Sequence, residues 1–100
     1  MTSSRKYLDF VLDRLSDIDD ITCRPMMGEY ILYFKGKVIG GIYDNRFLVK
    51  PTASAKRLMP EAAYETPYTG AKGMLLVDNV DDSDFLRELL EALYADLREK

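Results

Sequence analysis

The sequence predicts a two-layer α+β domain in which helices pack on an antiparallel sheet of about five strands, and three observations carry that prediction. Apolar residues recur at helical spacing near both ends of the chain. Between those stretches the apolar period drops to two, as strands require. Short turn signals separate three successive apolar runs in the middle. At 100 residues the chain has the length of one domain, so a single domain over 1–100 is expected.

Tyr7, Leu8, Val11, Leu12, Leu15 and Ile18 are spaced by threes and fours, which predicts an amphipathic helix over about 4–16. Ser3 or Ser4 can cap its first amides, and Asp17, Asp19 and Asp20 follow where the pattern dissolves into a turn. From Ile21 the period is two. Pro25 limits ladder pairing there, so this segment reads as a short or edge strand. Residues 29–34 carry apolar side chains on both faces, with Tyr30, Leu32 and Phe34 on one and Ile31 and Tyr33 on the other, which predicts a central strand. Lys35-Gly36 and Asp44-Asn45 are tight-turn signals, so 29–34, 37–43 and 46–50 should form an antiparallel meander.

Thr52 can cap a short helix over 53–59, although a loop fits there as well. Residues 61–72 include Pro67 and Gly70, lack a clear period and should be irregular. Met74-Leu75-Leu76-Val77 reads as a fifth strand. Phe85, Leu86, Leu89, Leu90, Leu93, Tyr94 and Leu97 then mark a C-terminal helix whose leucines should lie against the sheet, capped by Asp81 or Asp82 and ending near Arg98 and Lys100.

Composition narrows the chemistry. The chain has no histidine, which removes His-based triads and His-containing zinc sites. Its one cysteine, Cys23, cannot form an internal disulfide and alternates in phase with Ile21 as a small buried hydrophobe would. The aspartate clusters at 19–20 and 81–84 occupy turn and helix-start positions and lack calcium-loop spacing. Gly70-Ala71-Lys72-Gly73 lacks the frame and the following helix of a phosphate loop. No catalytic residue, cofactor or metal is therefore expected. The 14 basic and 17 acidic side chains give a net charge of -3, and the basic ones are interspersed with carboxylates, so direct nucleic-acid binding is not expected. No apolar run approaches the length of a membrane span, and no signal-peptide pattern is present, so a cytoplasmic protein is expected.

Seven tyrosines and four phenylalanines remain, several on the meander, where they either pack in the core or face a partner. The candidate recognition residues are Arg24, Met27, Gly28, Tyr30 and Lys50. Gly28 can adopt a backbone geometry closed to other residues, and Arg24 offers five donors. Arg24 either shapes a recognition site or bridges to Glu29 or a nearby aspartate. Arg24, Lys50 and Tyr30 around one pocket would instead suit a small anionic ligand.

Arg24-Pro25-Met26-Met27-Gly28-Glu29-Tyr30, followed by Leu32-Tyr33, Lys35-Gly36-Lys37, Gly40 and Phe47-Leu48-Val49-Lys50, resembles the N-terminal domain of the competence regulator TfoX (Sxy). The likeness runs from about Arg5 to Leu97 and includes the Pro67-Tyr68 region and Met74. Met27 and Glu29 stand where that family usually has Phe and a second Gly. The resemblance implies helices packed on a curved antiparallel sheet and a role in competence-gene regulation. The expected activity is that of a non-enzymatic regulatory or adaptor domain working through a protein partner, which could be a second copy of the chain.

Overall fold

The computed structural model describes residues 4–67, 70–78 and 80–98. Ser3, Tyr68 and Lys100, named above, lie outside the described residues. Both helices read from apolar spacing form. The first, α1, spans Arg5–Arg14, and Ser4 caps it by accepting a hydrogen bond from the Tyr7 N–H at 3.1 Å. Its buried stripe is Leu8 and Val11, continued by Leu15 just beyond the helix.

Four strands follow in a meander: β1 (Ile21–Met26), β2 (Glu29–Phe34), β3 (Lys37–Tyr43) and β4 (Arg46–Val49). Each connection is a two-residue turn with both residues at positive φ: Met27 52° and Gly28 88°, Lys35 52° and Gly36 82°, Asp44 52° and Asn45 57°. These are type I′ turns, whose twist matches that of the flanking strands. After β4 come α2 (Ala53–Leu58), β5 (Tyr64–Glu65), β6 (Met74–Leu76) and α3 (Ser83–Arg98).

Among the described residues, six strands join one antiparallel sheet in the order β1-β2-β3-β4-β6-β5. The expected α+β sheet with its N-terminal, C-terminal and short middle helices forms, and only the irregular backbone expected over 61–72 is corrected, at one point. Tyr64 and Glu65 pair with Leu75 and Met74, and so add a two-residue edge strand. So short a strand has no periodicity to detect; its partner across the sheet makes it. Pro25 lies inside β1, as an edge strand permits, and β2 is interior, between β1 and β3.

The core lies between the helices and one sheet face. Leu32, Phe34, Ile42, Phe47, Val49 and Leu75 meet Leu8, Val11, Leu86, Leu89, Leu90 and Leu93 there. Polar contacts fix the helices around it. Asp82 caps α3 by accepting from the Phe85 N–H at 3.0 Å. The Ser4 N–H donates to the Asn45 side chain at 2.8 Å, and Arg87 donates to the Asp17 carbonyl at 3.1 Å. Thr52 caps α2 from within the chain, and Asp96 of α3 reinforces that cap, accepting from the Ser54 N–H at 2.8 Å and its hydroxyl at 3.0 Å.

Candidate functional site

Strand alternation assigns the remaining side chains to the opposite sheet face, away from the helix residues of the core, and no helix among the described residues covers it. Arg24, Ile31, Gly41, Leu48 and Leu76 form one cross-strand row on it, paired in that order from β1 to β6. Thr22, Tyr33 and Val38 form a second row. Ile31, Tyr33, Val38, Met74 and Leu76 are half-exposed, whereas Tyr43 and Leu48 are buried without joining the helix-side core. This face is a mixed surface of aliphatic, aromatic and cationic groups.

Two glycines let the strands close up behind that face. A Cβ on Gly40 would lie 2.1 Å from the Leu48 carbonyl oxygen, and one on Gly41 would lie 2.4 Å from that of Tyr30. Both would strike backbone that cannot swing aside. Gly40 also adjoins the register shift between β2 and β3, where Leu32 pairs with Gly40 but Tyr33 pairs with Val38.

The five candidate residues do not converge. Arg24 is exposed on the open face and pairs with no carboxylate among the described residues. Both carboxylate oxygens of Glu29 accept from the Asp44 N–H instead, at 3.3 and 3.1 Å. Met27 is 94% exposed at the tip of the β1–β2 hairpin, with Gly28 beside it. Tyr30 turns to the helix side, packed against the core and near Arg5. The Arg5 guanidinium is raised above its ordinary value by its hydrogen bond to Asp9, with smaller contributions from Tyr30 and Cys23. Lys50 follows β4 at the other side of the sheet, at a pocket of about 620 Å³. Arg24, Tyr30 and Lys50 therefore do not share a pocket.

Arg46 escaped the sequence reading. It pairs with Glu65 across the sheet, donates to the Thr66 carbonyl at 3.2 Å and donates through Nε to the Tyr43 carbonyl at 3.1 Å. It thereby clamps the segment after β5 to the β3–β4 hairpin. Nothing in the sequence marks a pairing between residues 46 and 65, because only sheet formation brings them together.

Fold and surface together define a small α+β domain with one helix-covered and one open sheet face, and no constellation of three or more potential metal ligands occurs among the described residues. No helix among them is long and apolar enough to cross a membrane. No family model matches the sequence, and no solved structure matches it. An uncharacterized 12.7 kDa protein encoded in the trpE 5′ region of Spirochaeta aurantia is 33% identical over 98 residues, covering 97% of this chain and 85% of that protein. The chain belongs to the family of that Spirochaeta protein.

Proposed function

We propose that the chain is a non-enzymatic regulatory or adaptor domain of the TfoX N-terminal type, acting through protein contacts in transcriptional regulation. The observation that carries this proposal is the open sheet face, where half-exposed Ile31, Tyr33 and Val38 lie beside exposed Arg24, which has no carboxylate partner among the described residues. Apolar and aromatic groups flanked by arginine are the composition of protein interfaces. Met27 supports the same role. A large apolar side chain, 94% exposed and held at positive φ, departs from two local preferences at once, and such departures concentrate at functional sites. The motif order from Arg24 to Lys50 supplies the regulatory part of the proposal.

The partner reads the open face by side chains more than by strand addition. The Lys35 N–H donates to the Asp20 carbonyl, so the ladder alternation points the backbone groups of Ile21, Cys23 and Pro25 outward. Proline supplies no donor there, and the free edge is blunted.

The test is capture of a partner by wild type, Arg24→Ala, Ile31→Asp and a control changed on the helix side at exposed Glu88, with sedimentation of each protein alone. The expected result is one captured protein lost with the first two variants and kept with Glu88→Gln. A self-association lost with the same two variants would identify a second copy as the partner. Equal capture by all four proteins would refute the proposal.

A further inference from the structure

We propose that the pocket at the Lys50 side of the sheet binds a small organic anion with an apolar body, a medium-chain carboxylate in chemical class, whose head group is held by Lys50 and Lys72. This goes beyond the protein-contact role: the pocket borders the open face and shares Val38 with it, but it does not include Arg24, Ile31 or Tyr33. At about 620 Å³ the pocket has the size of small-molecule sites. Val38 and Tyr43 of β3, Met74 of β6 and Pro67 supply its apolar walls, with Lys50 and Lys72 among the lining side chains.

Charge selects the occupant. Among the described residues, no aspartate or glutamate lines the pocket and neither lysine has a carboxylate within ion-pair distance. Lys50 is half-buried and Lys72 exposed, and both line the pocket. In a protein of net charge -3, two uncompensated cations over an apolar wall create a local field opposite in sign to that of the whole molecule. A carboxylate completes both lysines with charge-assisted hydrogen bonds, while its hydrocarbon body displaces water from Val38 and Met74. A cationic ligand meets repulsion, and a neutral one of the same length leaves the lysines as they were.

The wall opposite the sheet is held in place. Arg46 bonds to Glu65 and to the Thr66 carbonyl immediately before Pro67, and Pro67 is itself buried. The pocket's shape therefore depends on an ion pair outside its lining.

Octanoate, octanol and octylamine are titrated separately into the isotope-labelled protein, with amide shifts recorded for wild type, Lys50→Gln/Lys72→Gln and Arg24→Ala. The expected result is saturable octanoate shifts at Val38, Tyr43, Lys72 and Met74, none with octylamine at equal concentration, and weaker shifts with octanol. The double variant should weaken octanoate binding about tenfold with an unchanged Tm, because it removes both charge-assisted bonds. Arg24→Ala should bind octanoate as wild type does even though it loses partner capture, which separates this inference from the proposed function. Equal shifts from octanoate and octylamine, unchanged affinity in the double variant, or no shifts up to about 10 mM octanoate would overturn it.

Discussion

Single backbone positions set how closely this sheet packs. Gly40→Ala places a Cβ 2.1 Å from the Leu48 carbonyl and 2.7 Å from the Val49 Cα, so β3 and β4 must separate. We expect a loss of about 1–3 kcal/mol, the usual cost of forcing extra volume into a packed site, read as a lower urea midpoint. An unchanged midpoint would mean that the strand pair gives way freely. Met27 shows the opposite balance. Its φ of 52° is strained for a side chain of that shape, and Met27→Asn should raise stability by roughly 1 kcal/mol. If the exposed methionine serves recognition, the same variant is more stable and captures less partner. Thermal melts and capture assays on one preparation measure both.

At the scale of elements, each helix is capped by the residue just before it, Ser4, Thr52 or Asp82, and α2 is held further by a residue of α3. The Asp96 carboxylate of α3 is held below its ordinary value of 3.8, first by the Ser54 backbone N–H and then by the Thr52 side chain, the Ser54 hydroxyl and nearby Arg57. The folded value lies below the unfolded one. The stabilisation is therefore present above the unfolded carboxylate range and is lost as pH falls through the folded value. Wild type should lose more Tm between about pH 7 and pH 3 than Asp96→Asn does, because the amide cannot titrate. Parallel Tm profiles for the two proteins would show that the α2–α3 contact does not depend on that charge. The helical stripes were legible because their periodicity is local, and Leu86, Leu89, Leu90 and Leu93 are all fully buried. The turns were legible at Lys35-Gly36 and Asp44-Asn45 for the same reason. At Asp81 or Asp82 the composition left two caps open, and helix geometry selects Asp82.

For the whole molecule, charge governs what it meets in solution. With 17 acidic and 14 basic side chains, it should bind duplex DNA no better than an unrelated acidic protein at about 0.15 M salt. A shift assay with a steep salt dependence would contradict this, since such a slope counts phosphate contacts. The charge is unevenly placed. Asp78, Asp81, Asp82 and Asp84 gather at the start of α3, while Lys50 and Lys72 line a pocket that has no carboxylate among the described residues. Net charge is readable from composition, but this separation depends on how the strands are ordered.

By itself the sequence determined the α+β class, the two amphipathic helices, the β2–β3–β4 meander with its turns, and which leucines lie inside. Each follows from residues within about one helical turn or one hairpin of each other, where spacing and turn chemistry act directly. Only the tertiary structure decided that Tyr64 and Glu65 form a strand, that Tyr30 and Arg24 lie on opposite faces, that Arg46 clamps residues 65–66, and that Lys50 meets Lys72 across one pocket. Those partners are brought together across intervals of up to 22 residues by strand order and by which face the helices cover. Both are outcomes of burying the apolar surface of the whole chain at once, so no local pattern encodes them.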